Sequence, residues 1–125
     1  MGMELLQTAP DTLVLNLFGV LSHAEFIKAQ QAAEDVLRAQ GPKRILVNAE
    51  ALASFDAAGD WGDLSSQLSD HLVIKMAVVG DPQMKDLVLM FIGKGFRKFP
   101  IEFFTRDQSQ GARAWLRQGE RAPNL

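Results

Sequence analysis

Asp56, Asp60 and Asp63 place three carboxylates within eight residues, a density that raises hard-metal binding as one chemistry for this chain. A calcium loop needs alternating oxygen ligands and a closing glutamate, and this spacing has neither. Asp60 and Asp63 fit better in the first turn of a helix, where the positive end of the helix stabilises them. The two histidines are His23, in the first turn of an expected helix, and His71, at the end of another beside Asp70. A positive charge at that second position is favoured by the helix dipole, so both histidines read as surface residues. With no cysteine, thiol nucleophiles, thiolate metal sites and disulfides are excluded. Gly80-Asp81 falls where a strand should feed a helix, a common ligand position in α/β proteins. Neither GxGxxG nor GxxxxGK[ST] is present, so Gly80 reads as a turn residue and Asp81 as a helix cap. Ser54, Ser65 and Ser66 read as loop or helix-surface hydroxyls. No nucleophile–base pair, metal set or activated carboxylate pair emerges. The chain is therefore read as non-enzymatic, with no metal and no cofactor.

A different signal lies in Met84 to Pro100, MKDLVLMFIGKGFRKFP. Leu87 to Ile92 are all apolar, and three of the next six residues (Lys94, Arg97 and Lys98) are basic. A surface helix buries one stripe and keeps its other side polar. At about 100° per residue, Met84, Val88, Phe91 and Gly95 share one face, while Leu89, Met90 and Phe96 fall on the flank and back. Those three need a cover: a loop of the same chain, a partner subunit, a lipid surface or an apolar ligand. Gly93 and Gly95 each cost about 1 kcal/mol in a helix relative to alanine. They read as sites of close packing or as a joint in the segment.

Positioning these residues requires a specific order of elements. Met3–Ala9 and Thr12–Val20 read as strands joined by a turn at Pro10-Asp11, hence antiparallel. The second is apolar on nearly both faces, as in a strand covered on both sides. Ser22 and Glu25 form a capping box for a helix that stops at Gly41-Pro42. Lys43–Asn48 is a strand, Ala49–Gly62 irregular, and a helix runs through Leu64, Leu68 and Leu72. Ile74–Val79 is the fourth strand, and Asp81 and Pro82 open the apolar helix, closed by Pro100. Ile101–Thr105 is the fifth strand, Asp107 caps a last helix through Trp115 and Leu116, and 119–125 is a loose tail. The order ββαβαβαβα implies one α/β domain over residues 1–125, with a mixed, mostly parallel five-stranded sheet flanked by about four helices.

Composition agrees with a folded domain: 125 residues, 47% hydrophobic and 22% charged. The net charge of −2 gives no global field to hold nucleic acid. It is unevenly spread, with Glu50, Asp56, Asp60, Asp63 and Asp70 in an acidic stretch and Lys85, Lys94, Arg97 and Lys98 in a basic one. The N-terminus has no signal-peptide pattern, and no apolar run reaches the length of about 20 residues needed to span a bilayer. A cytoplasmic location is expected, peripheral at the inner membrane if lipid is the cover.

Three stretches carry a resemblance: ILVNAEALASFDAAGDWGDL from Ile45, IKMAVVGDPQMKDLV from Ile74 and IEFFTRDQSQGARAWL from Ile101. Together with the element order they make the chain resemble the SpoIIAA-like family, related to the STAS domains of bacterial anti-sigma-factor antagonists. The resemblance implies a mixed sheet with helices on its faces and a module that binds a protein partner. In the antagonists a serine in an Asp-Ser-Ser-Gly motif is phosphorylated, and the added charge breaks the complex. The matching run here is Asp56-Ala57-Ala58-Gly59, so Ala58 stands at the acceptor position and that switch is absent in that form. The architecture also has a likeness to CRAL-TRIO lipid-carrying domains.

Two functions are therefore expected. The leading one is association with a membrane surface or an apolar ligand through the 81–100 helix. There Leu89, Met90 and Phe96 would meet acyl chains or ligand, and Lys85, Lys94 and Arg97 would meet headgroups. The alternative is a STAS-type interaction module that binds a regulatory protein through the helix start at 57–64, with Ala57, Ala58 and Gly59 as its contacts; a homodimer is a further possible cover for the 81–100 helix.

Overall fold

The turn at Pro10–Asp11 returns the chain on itself, so β1 (Met3–Ala9) runs antiparallel to β2 (Thr12–Leu21). The computed structural model describes residues 3–55, 70–92 and 99–117. From β2 onward the strands β3 (Lys43–Phe55), β4 (Val73–Gly80) and β5 (Ile101–Thr105) are added in parallel. The sheet order is β1-β2-β3-β4-β5, with the antiparallel strand at one edge. The expected five-stranded mixed sheet is thus present.

Helix α1 (His23–Gln40) starts with the full Ser22–Glu25 capping box and ends at Gly41, whose N–H donates to the Leu37 carbonyl at 2.7 Å. Helix α2 (Lys85–Ile92) follows a 3-10 turn at Pro82–Met84, and α3 (Ser109–Arg117) follows another at Arg106–Gln108. Right-handed crossovers that always step in one direction must stack their helices on one face. Accordingly Phe26, Ala33 and Leu37 of α1 and Val88 and Leu89 of α2 share one core with Leu13, Leu15, Ile45, Val47 and Val78. Among the described helices, only α3, beyond the last strand, turns to the other face. There Ala112 and Leu116 cover Val14, Leu46, Ala77 and Val79.

Three expectations change, and one falls outside the described residues. Strand β3 continues to Phe55 instead of stopping at Asn48, because Ala49 and Leu52, three residues apart with a register shift between, both bury their side chains in the core shared with α1. Its extension pairs with the end of β2 across two register shifts, one flanking Gly19, which has φ of 63°. Described residues contain three α-helices, giving the order ββαββαβα. The helix expected through Leu64 and Leu68 lies outside them, and only a 3-10 turn at Asp70–Leu72 is described at its end. The described part of the apolar helix is Lys85–Ile92, since Asp81 caps a 3-10 turn at Pro82–Met84 that precedes it; residues 93–98 lie outside the description. Finally, the last helix is entered through Thr105, with Asp107 inside the turn it was expected to cap. The tail from 119 also lies outside the described residues.

Candidate functional site

The carboxyl ends of parallel strands are where such sheets leave concave space, because each chain turns away there. At the end of β4, Gly80 is packed so closely on β3 that an added Cβ would stand 3.3 Å from the Ala49 Cβ. The Asp81 carboxylate then accepts from the Gln83 N–H at 2.9 Å, and Pro82 takes the first helical position. At the end of β5, Thr105 N–H donates to the Gln108 carboxamide at 3.1 Å and its hydroxyl donates to Asp107. Gly80, Asp81, Pro82, Thr105, Arg106 and Asp107 enclose an open cleft of about 470 Å³. Gly80 and Asp81 are explained by strand contact and capping, and both also form cleft wall.

Arg106 reaches from this wall back to β3. Its Nε lies 3.3 Å from Glu50 Oε1, and its Nη2 donates to the Glu50 carbonyl at 3.3 Å. On the far side of that pair is a second cleft of about 470 Å³. It exists because α3 packs on β3, β4 and β5 and leaves the same face of β1 and β2 without a helix among the described residues. Glu4, Asn16, Phe18, Asn48, Glu50 and Ala51 line it. Glu4, Asn16 and Asn48 stand in register on three adjacent strands. Asn16 Nδ2 donates to Glu4 Oε1 at 3.3 Å, and Asn48 Oδ1 accepts from the Glu50 N–H at 3.1 Å.

Charge divides the molecule along its strands. The rim around the two clefts holds Glu4, Glu50, Asp81 and Asp107 against Arg106. The opposite end holds Lys43, Arg44, Lys75 and Arg117, with Asp11 paired to both arginines. Amides, carboxylates and one guanidinium on the rim suit recognition of polar or cationic groups more than bond-making chemistry. No group of three or more His, Asp or Glu residues able to hold a metal occurs among the described residues.

Of the binding residues chosen from sequence, only Lys85 and Leu89 have described side chains. Leu89, read as needing a cover and assigned to lipid or ligand in the leading function, is only 9% exposed and packs in the core shared by α1 and α2. Its burial follows from its place beside Val88 on a short helix laid against the sheet. Lys85 is exposed, with its Nζ 5.9 Å from the centre of the Phe103 ring. The Met90 side chain and residues Lys94, Phe96 and Arg97 lie outside the described parts, as do Ala57, Ala58 and Gly59. Strand β3 ends at Phe55, one residue before Asp56 opens that last run. His71 is exposed, and the side chain of His23 lies outside the description.

Sequence reasoning missed Glu4, Asn16, Asn48 and Arg106. A signal was present: Asn16 interrupts LVLNLF and Asn48 interrupts ILVNA, each a polar residue inside an apolar strand. Such residues mark the point where one face of a buried strand stops being covered.

A family model described as SpoIIAA-like matches residues 12–117. No curated protein matches the sequence. Among solved structures, the chain is similar to a DUF3478 protein with a SpoIIAA-like fold from Shewanella loihica PV-4. That match has a TM-score of 0.66 and 18% identity, covering 91% of each chain. The anti-sigma factor antagonist SpoIIAA in its unphosphorylated form gives a TM-score of 0.56 at 19% identity, over 90% of this chain and 97% of that one. The Bacillus cell fate determinant SpoIIAA in its phosphorylated form gives 0.50 at 23% identity, over 87% and 96%. At these identities the likeness is one of fold.

Proposed function

The chain belongs to the SpoIIAA-like family, and from that premise we propose that it is a non-enzymatic interaction module that binds a regulatory protein. The observation that carries this reading is the family match across residues 12–117, which takes in every described strand except β1. The partner face is assigned to Ala57, Ala58 and Gly59, directly after β3. With alanine at position 58, binding is not broken by phosphorylation there, because the side chain has no oxygen to accept the group. Regulation must then act on the partner's abundance or on another surface of this chain.

The membrane or apolar-ligand reading loses support from the burial of Leu89, one of its three apolar contacts. The interaction reading needs no rearrangement of α2.

The test is affinity capture with the wild-type chain and with Ala58→Glu, followed by direct binding of each captured protein in purified form. A protein that binds the wild type and loses about tenfold or more in affinity with Ala58→Glu, a change of about 1.4 kcal/mol, supports the reading. Direct binding unaffected by Ala58→Glu removes the assigned face, and failure of any protein to bind the wild type directly removes the function.

A further inference from the structure

Strand pairing brings an acidic and amide row onto the part of the sheet that α3 leaves open. Glu4, Asn16 and Asn48 lie side by side across β1, β2 and β3, with Phe18 beside them and Glu50 at the far wall. The row is only partly used by the protein itself. Glu4 accepts through Oε1, Asn16 donates through Nδ2, and Asn48 accepts through Oδ1. The second Glu4 oxygen, the Asn16 carbonyl and the Asn48 amino group remain for an incoming group.

Arg106 gives an internal precedent at the far wall, although it does not itself line this cleft. Its guanidinium is seated on the Glu50 carboxylate and the Glu50 carbonyl together, one side-chain and one main-chain acceptor on the same wall. A planar fork of N–H donors can use carboxylate and carbonyl acceptors spaced along a sheet, and it can stack on a ring. An ammonium can do the first as a point charge, but not with the same fixed geometry. Of the two carboxylates that line this cleft, Glu50 is paired with Arg106 and Glu4 has no cation beside it among the described residues, which favours a cationic visitor over an anionic one.

We propose that the open-face cleft of Glu4, Asn16, Phe18 and Asn48 receives an arginine side chain presented by a protein partner. Glu4 and the Asn16 carbonyl accept from its guanidinium, and Phe18 supplies the ring against which it lies. The proposal deepens the interaction-module reading by naming the partner's chemistry. It adds a contact surface separate from Ala57–Gly59.

The test does not need the partner. Nα-acetyl-arginine amide is titrated into the full chain and followed by the backbone and side-chain amide NMR signals. Nα-acetyl-citrulline amide, neutral and nearly the same shape, is the control. The expected result is saturable shifts at Asn16, Phe18 and Asn48 with the arginine probe, weaker at high salt and absent with citrulline. Glu4→Gln, an exposed change that keeps the shape of the row, should raise the dissociation constant about threefold or more. Phe18→Leu should weaken binding comparably through the lost ring. Equal shifts with citrulline, shifts insensitive to Glu4→Gln, or no shifts at these residues would each overturn the proposal. If a partner depends on Ala58 but the arginine probe ignores the cleft, the inference falls and the function stands. If the probe binds as expected and no partner exists, the cleft's preference for a guanidinium stands while the interaction function, and with it the partner's arginine, falls.

Discussion

Gln30 lies on the buried side of α1, 4% exposed, with its carboxamide oxygen lacking a hydrogen-bond partner among the described residues. A buried acceptor left unmade costs about 1–3 kcal/mol, more than a typical hydrogen bond returns. Phe26 and Ala33, close by on the same helix, are buried in the core, so the surroundings favour an apolar side chain. Methionine is unbranched and of similar length, and fills irregular space without a strong polar demand. Gln30→Met should therefore stabilise the protein by about 1 kcal/mol. The reading is a higher urea midpoint with an unchanged slope. A lower midpoint would mean that the oxygen is satisfied in solution and that the helix relies on it.

At the scale of elements, α3 is the one described helix on its face, and only Ala112 and Leu116 in it are fully buried. Its hold on the sheet depends on cations at its last carbonyls. Arg44 Nε donates to the Leu116 carbonyl at 2.6 Å while Nη1 reaches Asp11 at 3.1 Å. Lys75 Nζ donates to the Trp115 carbonyl at 2.8 Å and lies 4.5 Å from the centre of that tryptophan ring. Positive charge at a helix C-terminus meets both the exposed carbonyls and the dipole. Removing it with Arg44→Met should cost about 2–3 kcal/mol, the range of a charged hydrogen bond. Amide exchange should speed up in α3 more than in α1; equal acceleration would show that Arg44 supports the whole sheet instead. The sequence announced these elements unevenly. Ser22, Glu25, Gly41, Asp81 and Pro82 are local signals and act where they were expected to act, because capping is decided within a turn of the chain. The extension of β3 was hidden because Ala-Glu-Ala-Leu-Ala-Ser has little strand character, and only pairing with β2 past Gly19 makes it a strand. The cleft was hidden for a similar reason. Glu4, Asn16 and Asn48 are distant in sequence and meet only through strand register, whereas Gly80-Asp81 was conspicuous as a local turn.

For the whole molecule, the question left by the apolar helix is whether it seeks lipid. No helix among the described residues is long and apolar enough to cross a membrane, so any contact through α2 would be at the surface. Val88 and Leu89 are already out of water, in the core with Phe99 and Ile101. Burying a side chain of this size is worth about 1.5–3 kcal/mol, and that gain has been made within the fold. Moving it from protein core to acyl chains returns almost none of that energy and gives up close packing. Electrostatics does not repay the difference, since the net charge is −2 and the cleft rim adds a local acidic field facing any anionic surface. The pure protein should therefore stay in the supernatant when sedimented with phosphatidylglycerol vesicles at low salt. Pelleting that fades as salt is raised would show the opposite. It would mean that Lys85 and the basic residues from Lys94 to Lys98 outweigh the acidic rim. Binding that also disappeared with Phe96→Glu, with Leu89 untouched, would place the contact beyond the buried part of α2 and restore the membrane as a partner.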